Sequence, residues 1–304
     1  MISALFSELM ALGASTPSST IPHGQVVTLP VDPMTVDDDD FARHRDPLEW
    51  KGFKVSRDEF TEWGVKWRLW KIEAAQRREG PLWVVPHDNE NAAFEASLVA
   101  VRSYGGTVVA VDSGTVAGFD GNRRNWAVTY GAPIDPNRNF RDWFPVYAGA
   151  VLESKSKGWP IIALHSNAAG SSPAELSCSA PLHEIGNGDI SGDRCPAYIL
   201  SKSRARAWPF YDEDTAVLIP FFARYGRQSA FCGEALMADD FNLIFERVVR
   251  SDGSLSNYAL YHGLTYLNFE TRNLGATPAA LAAGRDRLLN MIVRAMKLCK
   301  LLPR

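Results

Sequence analysis

The chain has 304 residues, 46% of them hydrophobic and 22% charged, with a formal net charge of −3. That length and apolar content suffice for one large core, which excludes a disordered chain or a small scaffold held only by disulfides. The near-neutral charge offers no field to attract nucleic acid, and no apolar run reaches the roughly 20 residues of a spanning helix, so neither a nucleic-acid partner nor a membrane span is expected.

The first residues, MISALFSELMALGASTPSST, pass from apolar to Ser/Thr-rich in the manner of a signal peptide, but lack a basic start and carry Glu8 within the apolar stretch. Residues 1–75 read as an N-terminal extension packing on the main domain. Within it the acidic run Asp37 to Asp40 reads as a solvated loop, without the spaced ligands of a calcium loop. An aromatic group follows at Trp50, Phe53, Phe60, Trp63, Trp67 and Trp70. The spacing of Trp63, Trp67 and Trp70 predicts a helix with one buried stripe.

From Pro81 strands and helices alternate. Short apolar runs predict strands at Leu82 to Val85, Thr107 to Val111, Ile161 to Leu164, Ala197 to Leu200, Ala216 to Ile219 and Leu264 to Phe269. A helix is expected over Ala92 to Arg102, stopped by Tyr104-Gly105-Gly106. Another should run from Pro278 to Leu301 behind the N-cap Thr277. The expected fold class is α/β, a single mixed β-sheet sandwiched by helices, with residues 76–304 as the catalytic domain. Cys178 and Cys195 bracket a Gly/Asp-rich segment that either closes under a disulfide, worth about 3 kcal/mol, or holds two reduced thiols. Cys232 and Cys299 read as ordinary small core residues.

Four residues carry chemistry. His87 follows the strand LWVV, and Glu90 stands three residues on, so both can reach one metal ion. His165 closes the strand PIIALH, and its ring emerges at the same sheet edge if the strands run parallel. Two imidazoles and a carboxylate can hold a single zinc ion with a position left for water. Glu270, ending the strand YLNFE, needs a partner for its carboxylate: a water to deprotonate, or Arg272 in an ion pair. Glu95 is an alternative to Glu90 at wider spacing.

In order along the chain stand HDNE, GNRRNW, Asp135-Pro136-Asn137-Arg138-Asn139-Phe140, His165-Ser166 and Phe269-Glu270-Thr271-Arg272. From Pro81 to Gly275 this series resembles the zinc carboxypeptidase family, including its peptidoglycan-peptidase and deacylase relatives. The resemblance implies His87, Glu90 and His165 as ligands of one zinc ion and Glu270 as general base, then general acid. It implies Asn137 and Arg138 as the grip on a substrate carboxylate, consistent with the fork geometry of a guanidinium. One arginine of the pair Arg123 and Arg124 would stabilise the oxyanion, with Arg124 preferred. It places Leu255 near the pocket for the terminal side chain. Where the family carries a capping tyrosine this chain has Val248 and Val249, so Tyr258 or Tyr261 is the expected substitute.

These residues predict a zinc-dependent hydrolase cutting an amide or peptide bond beside a free carboxylate, on peptides or peptidoglycan stem peptides. The partner is then a peptide or peptide-like substrate. An N-acyl amino acid deacylase and a metal-free binding module are the alternatives. The signal-like start and the possible bridge favour a periplasmic or secreted location, with the cytoplasm left open.

Overall fold

The structure is a computed structural model that describes residues 24–114, 121–167, 195–199, 207–212, 214–248 and 251–301. The signal-like start and Cys178 lie outside the described residues. Ten strands form one mixed sheet: β1 (Val27–Pro30), β2 (Phe53–Glu62), β3 (Val65–Ala74), β4 (Leu82–Val85), β5 (Thr107–Val111), β6 (Ile161–Asn167), β7 (Cys195–Ile199), β8 (Ala216–Phe222), β9 (Leu243–Val248) and β10 (Tyr266–Arg272). Their order is β1-β2-β3-β5-β4-β6-β10-β8-β9-β7. The centre, β5-β4-β6-β10, is parallel; β1, β2 and β3 join it antiparallel on one side, and β8 pairs antiparallel with β10 on the other.

Seven helices occur among the described residues: α1 (Asp39–Ala42), α2 (Pro47–Trp50), α3 (Asn91–Tyr104), α4 (Pro145–Leu152), α5 (Gly233–Ala238), α6 (Leu255–Tyr261) and α7 (Pro278–Leu298). The expected helix stops and caps are present at α3, where Gly105 takes φ +79°, and at α7, where Thr277 accepts from the Ala280 N–H. Alternate residues of the strands feed two separate cores. Trp70, Ile72, Trp83, Val85, Leu164 and Phe269 pack with residues of α3 and α7. Trp67, Leu69, Leu82, Val84, Ile161 and Ala163 pack with residues of α4 and α6. Period-two alternation in a strand enforces that division, because successive side chains leave opposite faces.

Residues 63–70 do not form the predicted helix. VKWRLWKIEA is β3, hydrogen-bonded along its length to β2, and the two strands meet in a two-residue turn, Trp63-Gly64, with both residues at positive φ. Such turns match the twist of the flanking strands. Trp67 and Trp70 therefore point to opposite cores, and Trp63 is exposed at the turn. The period was misread because Trp recurs at three and four residues while the apolar alternation Val65, Trp67, Leu69 has period two.

The acidic run departs from expectation as well. Asp38 and Asp40 are buried; Asp38 caps α1 by accepting the Asp40 N–H, and Asp40 pairs with Arg43. Nor are Cys232 and Cys299 reduced core residues: they form a disulfide between the N-cap of α5 and the C-cap of α7. Helix α7 also approaches α3 closely at Gly284. A Cβ there would stand 2.9 Å from the Ala92 Cβ and 3.8 Å from a Thr271 methyl.

Candidate functional site

The site forms where β4, β6 and β10 end. Ligands gather at the carboxyl ends of parallel strands because the loops there are free of sheet hydrogen bonds. β4 delivers His87 two residues past its last strand residue, and the turn His87 to Glu90, closed by the Glu90 N–H on the His87 carbonyl, opens α3 with Glu90 as its N-cap residue. His165 lies in β6, directly opposite Glu270 in β10. The parallel pairing that the sequence left conditional is therefore present, and it sets a ligand candidate and a base candidate side by side.

His87, Glu90 and His165 are buried, and a donor atom from each lies within 4.8 Å of the others. His87 Nδ1 is 2.8 Å from Glu90 Oε1 and 3.2 Å from His165 Nδ1, while His165 Nδ1 is 3.0 Å from Glu90 Oε2. His87 Nε2 lies 3.0 Å from Asp135 Oδ1. A carboxylate only accepts, so both ring nitrogens of His87 donate in this arrangement, Nε2 to Asp135 and Nδ1 to Glu90; with Asp135 holding the Nε2 proton, loss of the Nδ1 proton would leave that lone pair for an ion. Potential ligand atoms from three side chains thus face one another at close range. That donor set fits a zinc ion, which takes imidazole nitrogen and carboxylate oxygen.

The electrostatics agree. Burial alone would raise the Glu90 carboxyl, but the charges of His87 and His165 and their hydrogen bonds hold it well below the usual range. Burial opposes charge on His87 too, yet Glu90 and Asp135 raise its pKa. Arg123 donates to Glu90 Oε1 at 2.7 Å, and the Ser166 N–H to Oε2 at 3.1 Å. The Glu270 carboxyl is pushed up by burial and by the Glu90 charge, against the pull of His165 and Arg123 and a hydrogen bond from Asn268 at 2.9 Å. Arg272 pairs with Asp214, so the ion pair considered for Glu270 is not formed. Glu95 is engaged by Arg43 and His44 and does not join the cluster.

A cleft of about 480 Å³ opens over these residues. Asn137 and Arg138, in the short turn after Asp135, line it together with His87, Glu90, Arg123, His165 and Glu270. Arg138 is oriented by Asp252 at 3.7 Å, and Asn137 Oδ1 accepts the Leu255 N–H at 3.3 Å. Arg124, the preferred arginine of the doublet, is not at the cleft; it reaches the Pro133 carbonyl, and its neighbour Arg123 takes the cleft position. Leu255, the first residue of α6, is fully buried in the core, and its neighbours Ser254 and Ser256 line the cleft. Tyr258 stacks on His262 and Tyr261 packs edge-on against Phe222, and neither lines the cleft. Tyr266, Asn268, Asn89 and Glu246 line it without having been anticipated. Tyr266 and Asn268 share strand parity with Glu270, a signal the sequence contained.

No protein-family model matches the chain, and no curated protein matches it in sequence. Among solved structures it is similar to a metallo-carboxypeptidase from Burkholderia cenocepacia, at 15% identity over 84% of this chain and 69% of that one, with a TM-score of 0.39. It is similar to a succinylglutamate desuccinylase from Chromobacterium violaceum, at 12% identity over 80% and 66%, TM-score 0.38. The ectoine utilization protein EutE (DoeB) from Ruegeria pomeroyi gives 11% identity over 91% and 72%, TM-score 0.40. The chain thus spans about two thirds to three quarters of the length of these three proteins. At such TM-scores these are similarities of fold, and no residue role is taken from them.

Proposed function

We propose that this chain is a zinc-dependent hydrolase that cuts an amide or peptide bond next to a free carboxylate, a carboxypeptidase acting on peptides or peptidoglycan stem peptides. The observation that carries this reading is the convergence of His87 Nδ1, His165 Nδ1 and the Glu90 carboxylate, one strand from the buried Glu270. His87, Glu90 and His165 would hold one zinc ion, which when bound supplies a Lewis acid and acidifies water. Asn137 and Arg138 hold the substrate carboxylate, Arg138 through a two-pronged guanidinium contact. Arg123 stabilises negative charge on the scissile carbonyl oxygen. Glu270 takes a proton from the attacking water and returns it to the leaving amine, a role favoured by a carboxyl whose pKa burial has raised.

In this reading residues 76–304 form the catalytic domain, its sheet sandwiched by helices, and residues 1–75 an extension whose β2–β3 hairpin widens that sheet. The Cys232–Cys299 disulfide supports a periplasmic or secreted location, since such bonds persist in oxidising compartments. A second reading, removal of the acyl group from an N-acyl amino acid, is supported by the polar residues Glu246, Ser254 and Ser256, which line the cleft beside Leu218 and Ile244 and suit a small polar substrate.

The test is the Glu270→Gln variant beside wild type, with metal analysis and hydrolysis of C-terminal peptides, muropeptides and N-acyl amino acids followed by mass spectrometry. We expect about one zinc per chain in both proteins and a fall in kcat of roughly 10²- to 10⁴-fold in the variant. The mass lost by the substrate separates the two readings. Wild-type turnover by the variant, or a protein that takes up no zinc, would end both.

A further inference from the structure

Four large aromatic side chains stand exposed on one rim of the molecule: Trp63 (57%), Trp126 (62%), Tyr130 (75%) and Trp143 (59%). Among the described residues of 62–67 and 121–144, every exposed large hydrophobic side chain is one of these rings. The exposed aliphatic residues, such as Leu48, Val99 and Val293, lie on other elements.

The rim is built. Trp63 donates its indole N–H to the Trp143 carbonyl at 2.7 Å. The Tyr130 ring lies over Gly64, where a Cβ would come within 3.1 Å of it, and the Thr129 N–H closes on the Gly64 carbonyl. The guanidinium of Arg141 sits 5.3 Å from the centre of the Trp143 ring while its Nε donates to the carbonyl of Arg138, the residue that lines the cleft.

The rim and the cleft are parts of one surface. β3 pairs with β5 only from Leu69, opposite Val111, and its residues Val65 to Arg68 run on past the carboxyl end of β5. The Trp63-Gly64 turn therefore overhangs that end by about 15 Å, on the side where His87, His165 and Glu270 emerge, and β3 is two strands, about 10 Å, from β4. The segment from Arg123 to Asn137 joins the two places. Its ends line the cleft, a bridge between Asn125 and Ile134 closes its base, and Trp126 and Tyr130 lie on the loop between, which is bridged to β3 at Val65 and Val128.

We infer that this rim is a saccharide subsite, which holds pyranose rings of a glycopeptide whose peptide part enters the cleft. The inference rests on the hydrolase reading above and adds the class of substrate. Flat rings beside which no large aliphatic side chain is exposed, only Ala127 and Ala132, are a poor match for a lipid or for a dry protein interface. They match a ligand that is itself two-sided. The C–H face of a pyranose, slightly positive, lies on the negative face of an aromatic ring, and its hydroxyls turn outward to polar groups, here Thr129, Arg141 and Asp142. Exposed aromatic patches of this kind mark binding surfaces.

The experiment uses the zinc-loaded full chain and its Trp126→Ala/Tyr130→Ala double variant. Binding of an N-acetylated chitotetraose is followed by tryptophan fluorescence and NMR, and kcat/KM is compared for one peptide with and without an N-acetylated amino sugar attached. Saturable binding by wild type, at least tenfold weaker in the variant, is expected. Wild type should also favour the sugar-bearing peptide at least tenfold, with that ratio falling toward one in the variant. Circular dichroism and a thermal melt show that both proteins are folded. Binding that is absent from wild type or unchanged in the variant overturns the inference. So does loss, in the variant, of self-association or of binding to anionic vesicles instead. Sugar binding without cleavage of either peptide leaves the rim standing and sinks the hydrolase reading; equal cleavage of both without sugar binding does the reverse.

Discussion

Asp135 governs how His87 presents itself. It accepts from His87 Nε2 and from the Asn137 N–H through the same oxygen, Oδ1, so one carboxylate fixes both a candidate ligand ring and the turn that carries Asn137 and Arg138. The charges of His87, Arg138 and Arg123 outweigh its burial and keep it ionised. Replacing Asp135 by Ala should weaken zinc affinity roughly 10- to 100-fold with little change in fold, measured by competition with a chromophoric chelator. Asp38 is the opposite case. Burial, with Asp112 and Asp39 nearby, raises its pKa from 3.8 to about 6. A carboxyl more easily protonated when folded costs stability as pH rises from about 4 to about 6, and the cost stays in full above that. Asp38→Asn keeps the cap on the Asp40 N–H and removes the charge. It should therefore raise the melting temperature at pH 7, by an amount equivalent to at most about 3 kcal/mol, and have no effect near pH 3.5. The sequence made His87, Glu90, His165 and Glu270 legible because each sits at a fixed offset from a strand end. It could not choose between Arg123 and Arg124, since neighbours in an irregular loop point apart and only the backbone path decides which meets the cleft.

At the scale of elements, the parallel centre and the flanking strands β7 and β8 were readable, and the β2–β3 hairpin was not. β4, β5 and β8 are almost wholly apolar, and β6 opens on the apolar run Ile161 to Leu164, as strands buried on both faces do; β10 keeps Leu267 and Phe269 among its polar residues. β2 and β3 carry Lys, Arg, Asp and Glu among their apolar residues, and their turn uses Trp-Gly where Asn-Gly would have announced it. Leu255 itself turns into the core while its neighbours Ser254 and Ser256 face the cleft. The disulfide was invisible because its cysteines are 67 residues apart and each reads as core. Closing a loop of that length constrains the unfolded chain by about 4 kcal/mol. The Cys232→Ala/Cys299→Ala pair should lose stability of that order in denaturant titration, and reductant should reproduce the loss in wild type.

Taken whole, the molecule divides labour across its sheet. The central strands position the candidate ligands and base, and the antiparallel hairpin extends past β5 to bring Trp63 beside the exposed rings of residues 126–143. Helix α7 contributes none of the residues lining the cleft. Yet Gly284 on this helix lies between Ala92, two residues from Glu90, and Thr271, next to Glu270. The gap separating a metal-ligand candidate from the candidate base is thus gauged by a missing methyl group on an element that does not line the cleft. Adding that methyl, as Gly284→Ala, should improve α7 as a helix while wedging α3 away from β10. The expected result is a protein that stays folded in circular dichroism but loses zinc affinity and turnover together, damage that inspection of the cleft alone would never trace to its source.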